Sequence, residues 1–190
     1  MKVLNLLWVA LIVVNGCPTK KSLQSNTNLE ARDQFGNTRL MQAVRDNDVE
    51  AVKQLLAAGA NVEATVSGGM TPLIRAAAIG NADIVRLLMQ AGAKVDGRND
   101  TEETPLMNAS YLGRTEIVKI LLEGGADPNA KDDDGTTALM RAARNGHTEV
   151  LQILLDKGAD RWARDKQGRT AAMYAANEKR TDVVKFLTQQ

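Results

Sequence analysis

The sequence repeats itself every 33 residues. Four kinds of residue recur in phase with this period: a threonine, an acidic residue, a leucine, and a glycine that precedes an alanine. The recurring positions are Thr38, Thr71, Thr104, Thr137 and Thr170; Glu50, Asp83, Glu116, Glu149 and Asp182; Leu55, Leu88, Leu121, Leu154 and Leu187; and Gly59, Gly92, Gly125 and Gly158. Self-similarity at a period of about 20 to 50 residues is typical of arrays in which each unit packs only on its neighbours. The period therefore limits this chain to a repeat architecture.

Each copy has the pattern of two short helices, as the second copy illustrates. Thr71 suits the N-cap of a first helix, and Pro72 suits its first turn, where the missing N–H costs nothing. Gly80 predicts a left-handed C-cap for that helix. Asp83 lies near the start of a second helix, where the helix dipole favours negative charge, and Gly92 ends it. The first helix carries alanine and the second carries leucine, isoleucine and valine, so stacked neighbours are needed to bury the apolar face of each pair.

The low aromatic content, 3% of the residues, agrees with this interpretation. The strands of sandwiches and barrels favour aromatic and β-branched residues, whereas closely packed small-residue helices do not need rings. We therefore expect a curved all-α stack with the alanine-rich first helices on its concave side. The two end copies differ as caps would, because Gln54 and Thr188 are polar where the inner copies are apolar. This difference predicts a complete array of five copies.

Two segments carry a resemblance to a known family. Gly69–Leu88 reads Gly-Met-Thr-Pro-Leu-Ile-Arg-Ala-Ala-Ala-Ile-Gly-Asn-Ala-Asp-Ile-Val-Arg-Leu-Leu, and Gly135–Leu155 follows the same pattern. Both segments resemble an ankyrin repeat. The resemblance covers residues 28–190 and implies an all-α ankyrin-repeat solenoid of stacked helix–turn–helix units with β-turn or hairpin tips. The five repeats would occupy about residues 28–60, 61–93, 94–126, 127–159 and 160–190.

The chain departs from the family pattern at three kinds of position. The histidine that usually follows Thr-Pro-Leu is replaced by Met41, Ile74, Met107, Met140 and Met173, which predicts thioether packing in its place. Val66 stands where an aspartate is usual. Glu102 stands where a glycine is expected, so we expect the turn of the third repeat to depart from the family geometry.

The segment before the repeats has the pattern of an export signal. Met1 and Lys2 precede about a dozen mostly apolar residues. A helix that spans a bilayer needs about 20 apolar residues, so this run is too short to be one. Residues 1–16 are therefore predicted to be a secretory signal peptide. Val14-Asn15-Gly16-Cys17 resembles the lipobox of bacterial lipoproteins, which implies that Cys17 is lipidated and becomes the mature N-terminus. An ordinary cleaved signal with an incidental cysteine, or a retained membrane anchor, is the alternative.

Residues 17–27 are polar and aperiodic, which predicts a flexible, lipid-anchored tether. In the Gram-negative lipoproteins that this segment resembles, an aspartate after the cysteine signals retention in the inner membrane. Pro18 stands at that place, so the resemblance implies the outer membrane, with the repeats in the periplasm. A soluble periplasmic protein is the alternative location.

Charge and composition argue against several classes of function. The 24 Lys+Arg against 23 Asp+Glu leave a net charge of +1, which disfavours a nucleic-acid-binding protein. The single cysteine and the single histidine indicate neither a structural zinc site nor a nucleophile–histidine catalytic pair. His147 precedes a second helix, and we interpret it as structural. The sequence therefore predicts no enzymatic activity, no metal and no cofactor.

The resemblance implies that a protein partner binds at the tips and at the concave face of the first helices. The variable first-helix positions are Gln42, Arg75, Asn108, Arg141 and Tyr174 in one row, and Arg45, Ala78, Tyr111, Arg144 and Asn177 in the next. These rows predict a basic concave face with two exposed tyrosines, and arginine and tyrosine are residue types that anchor interfaces.

Trp162 is a further candidate, since it is a large ring in a polar turn. The predicted binding residues are Arg75, Tyr111, Arg141, Arg144, Trp162 and Tyr174. A merely solvated face is the alternative, and binding at the tips also stays open.

These features together predict a non-catalytic protein-interaction module, tethered in the bacterial envelope and monomeric when free, whose partner has an acidic or mixed-charge surface. Similarity to exported bacterial ankyrin proteins implies an immunity protein that neutralises a periplasm-acting toxin such as a lipase effector. The alternative is an accessory that protects a periplasmic enzyme such as catalase. A haem or small-molecule carrier is disfavoured because the chain lacks a Cys/His ligand set. A structural scaffold of the envelope would require several partners.

Overall fold

Five consecutive helix pairs make up residues 28–189, the part of the chain described by the structure, which is a computed structural model. The helices are α1 Arg39–Arg45, α2 Val49–Ala57, α3 Pro72–Ile79, α4 Ala82–Gln90, α5 Pro105–Tyr111, α6 Thr115–Glu123, α7 Ala138–Asn145, α8 Thr148–Asp156, α9 Ala171–Asn177 and α10 Thr181–Thr188. No residue in this range belongs to a strand. None of the helices in the range is long and apolar enough to cross a membrane. The predicted signal peptide, the predicted lipidation of Cys17 and the predicted tether lie outside the described residues.

The helix ends follow the signals in the sequence. In four of the five first-helix caps the threonine Oγ1 accepts the backbone N–H three residues later at 3.2–3.4 Å, in Thr38, Thr71, Thr104 and Thr137, whereas Thr170 makes no such bond. Gly80 and Gly146 end α3 and α7 in the left-handed conformation, with φ of 92° and 81°. Each second helix has an acidic residue in its first turn, as predicted from the helix dipole. The helix boundaries predicted for the second repeat are confirmed.

The helices lie in two rows whose packing follows the size of their side chains. The first helices carry buried alanines such as Ala76, Ala109 and Ala142, which let neighbouring backbones approach closely. The second helices bury larger residues such as Ile84 and Leu88. The first helices consequently contact one another more extensively than the second helices do, which makes the first-helix side concave. The predicted all-α solenoid is confirmed.

The positions that carry histidine in the family pattern are apolar and buried here in the first four repeats. Met41, Ile74, Met107 and Met140 are almost inaccessible to solvent, as expected for thioether and aliphatic packing. Met173 is exposed instead, because among the described residues no first helix follows α9 to cover it, whereas Met41 of α1 is followed by α3. The polar residues Gln54 and Thr188 in the end repeats are exposed, as predicted.

The tips before each first helix are turns that join into a ladder. A backbone N–H of one tip donates to a carbonyl of the preceding tip at 2.9–3.2 Å, from Asp100 to Gly68, from Asp133 to Thr101 and from Lys166 to Asp134. Basic side chains at the start of a tip strengthen the ladder: the Arg98 guanidinium donates to the Lys131 carbonyl at 2.8 Å, and Lys131 Nζ donates to the Arg164 carbonyl at 3.0 Å. The tips therefore form one connected edge of the solenoid.

Glu102 keeps the turn geometry of the other tips. Its φ of 61° lies in the left-handed region, as do those of the glycines at the same repeat position, Gly36, Gly69, Gly135 and Gly168. The expected departure of this turn is therefore wrong. The turn survives because the Asn99 carbonyl accepts the Glu102 N–H at 3.0 Å, so local hydrogen bonds hold a residue with a Cβ in an unfavourable conformation.

Replacing Glu102 with glycine is expected to raise the free energy of unfolding by about 1 kcal/mol, because glycine adopts positive φ without strain. The Arg98–Glu102 ion pair at 3.0 Å is lost, but an exposed pair of this kind contributes little. Urea unfolding measures the change. Glu102→Ala is the control, since it removes the ion pair and keeps the strain. A glycine variant no more stable than the alanine variant would contradict the prediction.

Candidate protein-binding surface

One acidic or amide residue organises four of the five tips. These residues are Asp33, Asn99, Asp132 and Asp165, which recur with the 33-residue period. In each case Oδ1 accepts the backbone N–H groups of the residues two and four positions later, at 2.7–3.0 Å. Such turns fix the local backbone. The second repeat has Val66 at this position and lacks the arrangement.

The second carboxylate oxygen of three tip aspartates contacts the first helix of the same repeat. Oδ2 accepts a hydrogen bond from the residue nine positions later: from Gln42 in the first repeat at 2.9 Å, from Arg141 in the fourth at 2.7 Å and from Tyr174 in the fifth at 2.7 Å. Gln42, Arg141 and Tyr174, three of the five residues in the first row of variable first-helix positions, therefore bind the tip of their own repeat. Sequence reasoning missed this role, although aligning the copies by their period places the partners at a constant spacing.

Arg141 lies between two carboxylates of its own chain. One guanidinium nitrogen is 2.7 Å from Asp132 Oδ2 and 2.7 Å from Glu103 Oε1, and the side chain is only 18% exposed. Loss of hydration by itself lowers the pKa of Arg141, but the two carboxylates outweigh it and raise the pKa above the ordinary value. The expectation that Arg141 presents a free positive charge is wrong, because the third and fourth repeats use that charge internally.

Tyr174 was expected on the surface and is buried instead, with 9% of the residue exposed. Its hydroxyl donates to Asp165 Oδ2 at 2.7 Å and accepts from Arg169 at 2.6 Å, and the Arg169 guanidinium carbon lies 4.6 Å from the ring centre. Burial, followed by the hydrogen bond to Asp165, raises the pKa of Tyr174, so the phenol remains a donor. The predicted exposure of this ring is wrong, because the tip of the fifth repeat uses it.

Asp33 and Asp165 hold depressed pKa values. Loss of hydration by itself would raise the pKa of each carboxyl, but hydrogen bonds outweigh it and lower both to about 2. For Asp33 these bonds come chiefly from the backbone and side chain of Asn37 and from Gln42. For Asp165 they come chiefly from the Tyr174 hydroxyl and from Arg169. Both tips are therefore stabilised by the ionised form of their aspartate.

Acid is expected to weaken both end tips. Because the folded pKa values of Asp33 and Asp165 lie at about 2, below their ordinary 3.8, their stabilisation is complete above about pH 4 and is lost as the pH falls towards 2. The urea concentration at the midpoint of unfolding, measured at neutral pH and between about pH 4 and pH 2, reports the loss of this stabilisation. Asp165→Asn keeps an acceptor for the turn but removes the titrating charge, so its midpoint is expected to fall less steeply below pH 4. An Asp165→Asn profile parallel to that of the wild type would contradict this prediction for Asp165.

Four predicted binding residues line one cavity on the first-helix side. The cavity has a volume of about 410 Å³, and its walls include Tyr111, Arg141, Arg144 and Tyr174. The lining holds four carboxylates, of Glu103, Asp132, Asp134 and Glu178, against three guanidinium groups, of Arg141, Arg144 and Arg169. The expected basic concave face is therefore wrong for the third to fifth repeats, where carboxylates outnumber guanidinium groups in the cavity. Tyr111, 42% exposed, and the exposed Arg144, which contacts Glu178 at 3.3 Å, remain accessible to a partner.

The remaining two predicted residues lie apart from this cavity. Arg75 lines a second cavity of about 390 Å³, formed with Phe35, Asn37, Arg45, Val66 and Ser67. Phe35 is 66% exposed, and sequence reasoning missed it. The sequence did contain a signal for it, because Phe35 is an aromatic residue at a tip position where the other repeats have small or polar residues: Gly68, Thr101, Asp134 and Gln167. Trp162, 60% exposed in the loop between α8 and α9, lines neither cavity.

His147 has a structural role, as predicted. Its Nε2 lies 3.0 Å from the Tyr111 carbonyl oxygen, which also accepts a hydrogen bond from Asn145 at 2.9 Å. These contacts join the end of α7 and the loop after it to the end of α5 in the preceding repeat. Within residues 28–189, no group of three or more histidine, cysteine or acidic side chains is arranged to hold a metal ion.

Comparison with known families agrees with the geometry. The family profile of ankyrin repeats matches three overlapping segments, residues 7–99, 40–132 and 106–190. No curated protein matches the sequence significantly. The paired helices, the connected tips and the concave first-helix row are the features of a protein–protein interaction module of this kind. The chain therefore belongs to the ankyrin-repeat family.

Proposed function

We propose that this protein is a non-catalytic binding module of the bacterial envelope and acts as an immunity protein. It is exported, held at the membrane by a lipid on Cys17, and occupies a toxin such as a lipase effector that reaches the periplasm. The signal-like residues 1–16 and the lipobox-like residues before Cys17 support the location. Ankyrin repeats in the chain support the binding role.

The observation that carries the proposal is the rigid support under the exposed Tyr111. The backbone of Tyr111 is held by Asn145 and His147 of the next repeat, at 2.9 and 3.0 Å, while its ring faces the cavity beside Arg144. A tyrosine whose backbone is already held in place loses little backbone freedom when it binds. A protein that neutralises a toxin needs tight occupation and no chemistry, and such a surface suits that task.

Binding is tested by capture from envelope extracts with the full chain. Wild type is expected to retain a hydrolytic toxin and inhibit its activity, and Tyr111→Ala is expected to weaken retention at least about tenfold, as for a central tyrosine of an interface. Lys53→Ala, on the exposed side of α2, is the matched control and is expected to bind as wild type. Capture of a catalase-type enzyme without inhibition would support the accessory role instead, and a Tyr111→Ala variant that binds normally would remove this surface from the proposal.

Anchoring is tested separately by fractionation of cells that produce the full chain. Wild type is expected in the membrane fraction, and Cys17→Ser is expected to leave it, because the acyl chains provide the attachment. Metabolic labelling with a fatty-acid analogue identifies the modified residue. A Cys17→Ser protein that stays with the membrane would exclude lipid attachment at this residue as the cause of its location.

A further inference from the structure

Arg75 and Arg141 occupy the same position of two repeats but have different surroundings. Arg141 contacts the carboxylates of Asp132 and Glu103, both at 2.7 Å. Arg75 lies two periods of 33 residues before Arg141. The residues two periods before Asp132 and Glu103 are Val66 and Asn37, so these are the corresponding neighbours of Arg75. Neither carries a charge. The second repeat therefore keeps the arginine and lacks both of its carboxylates.

The guanidinium of Arg75 is left without a partner among the described residues. Its Nε atom is buried and forms no hydrogen bond there, which is also true of Arg141 Nε, but Arg75 lacks the carboxylate contacts that Arg141 makes through its terminal nitrogen. Asn37 cannot replace the missing acid, because its side-chain amide donates to both oxygens of Asp33, at 3.2 and 3.1 Å. A buried donor that is left unsatisfied costs stability, so a partner that supplies the missing acceptor would bind favourably here.

The cavity beside Arg75 has the charge and the apolar surface to receive a carboxylate from outside. We call it the Arg75 pocket, and it is lined by Phe35, Asn37, Arg45, Val66, Ser67 and Arg75. No carboxylate lines it. Arg45 adds a second positive charge that contacts only the exposed Asp46, a weak pair at 3.0 Å. Phe35 offers a largely exposed ring at the same opening.

We propose that the Arg75 pocket binds a single glutamate or aspartate side chain within a mixed-sequence segment of the partner protein, with an apolar neighbour of that residue packed on Phe35. This inference rests on the proposed function in one respect only, that the partner is a protein. The fourth repeat provides the template, since the guest carboxylate takes the place that Asp132 and Glu103 take at Arg141. Arginine suits this role because its planar fork binds a carboxylate through two parallel hydrogen bonds.

A protein segment fits the pocket better than a nucleic acid does. The backbone N–H of Asp100 donates to the Gly68 carbonyl at 3.0 Å, which places an acidic tip beside the pocket. The separate cavity of the third to fifth repeats, also on the first-helix side, contains more carboxylates than guanidinium groups. A polyphosphate chain would meet repulsion on leaving the pocket, whereas a single carboxylate within a mixed peptide would not.

The test uses random peptides of about a dozen residues displayed on phage and selected on the full-length protein. Wild type is expected to enrich peptides with an acidic residue beside an apolar one. For the best peptide, exchange of that acid for its amide is expected to raise the Kd at least about tenfold, the size of a charge-assisted hydrogen-bonded pair. Arg75→Ala is expected to remove this preference for the acid over the amide.

Two substitutions at Val66 sharpen the test. Val66→Asp provides the missing internal carboxylate and is expected to occupy Arg75 and raise the Kd at least about tenfold. Val66→Asn has nearly the same shape without the charge and is expected to stay within about threefold of wild type. Arg141→Ala is expected to keep the preference for the acidic peptide, since that arginine is already paired.

Several outcomes would overturn the inference. The selection could yield no peptides, or peptides without enrichment of acidic residues. Arg75→Ala could keep the preference for the acid over the amide. In competition, a single-stranded oligonucleotide could displace the bound peptide more effectively than the same peptide in free form does. The selection depends neither on Cys17 nor on the natural partner. Failure of the envelope capture together with a positive selection would therefore contradict the proposed function and leave the pocket supported.

Discussion

Replacing Arg141 with alanine is expected to lower the free energy of unfolding by about 2 to 3 kcal/mol, because it leaves the carboxylates of Asp132 and Glu103 close together without a counter-charge. Both side chains are largely buried, at 6% and 24% exposure, and each lies 2.7 Å from the same guanidinium nitrogen. The neighbouring cavity admits water, which keeps the loss below that of a fully enclosed ion pair. Urea unfolding at neutral pH measures the effect.

Two comparisons separate the ion pair from the loss of the side chain itself. Asp132→Asn keeps the acceptor that holds the tip of the fourth repeat, and in the Arg141→Ala background it is expected to recover part of the stability by removing the unpaired charge. Arg75→Ala, at the same position of the second repeat, is expected to change stability by less than about 0.5 kcal/mol, because the lost packing of its side chain is offset by removal of an unsatisfied buried donor. Equal losses from Arg75→Ala and Arg141→Ala would show that the two arginines are equivalent and would refute the contrast drawn between them.

Leu121→Ala is expected to lower the free energy of unfolding by about 3 to 4 kcal/mol, as for deletion of a fully buried leucine side chain. Leu121 is completely buried on α6, in the middle repeat, whose helices pack against both α4 and α8. In a stack of nearest neighbours a weakened middle repeat affects the interfaces on both of its sides. Chemical denaturation gives the global change, and amide hydrogen exchange shows whether both neighbours lose protection.

The equivalent leucine of the first repeat provides the control for this prediction. Leu55 is only partly buried on α2, whose second-helix neighbour among the described residues is α4. Leu55→Ala is therefore expected to cost about 1 to 2 kcal/mol and to increase exchange mainly in the first repeat. If the two substitutions cost the same and open the same amides, the stack is more cooperative than nearest-neighbour packing allows.

The helix pairs and their order were predictable from the sequence because each signal is local. Thr71 caps the helix that begins at Pro72, Gly80 ends that helix, and the same signals return every 33 residues. Burial followed from residue size, since alanine on one helix and leucine on the other leave one packing arrangement for a stack. Even the strained Glu102 occupies the turn that the period requires, because its neighbours hold the backbone by hydrogen bonds.

The candidate site was only partly predictable. Tyr111 and Arg144 lie on an accessible surface, as expected, and Trp162 is exposed away from them. Tyr174 and Arg141 are engaged inside the molecule, because their partners are tip residues nine positions earlier and, for Arg141, an acid 38 positions earlier. A list of variable positions does not show such pairing.

The sequence by itself determined that residues 28–189 fold as a stack of five helix pairs, because caps, breakers and apolar periodicity act within one repeat or between neighbours. Only the tertiary structure decided which of its charges reach the surface, because Arg141 is neutralised by Asp132 of its own repeat together with Glu103, which the fold brings to within 2.7 Å from the preceding repeat. Arg141 has those carboxylates and Arg75 does not. Two residues with the same place in the sequence pattern therefore differ in what they offer to a partner.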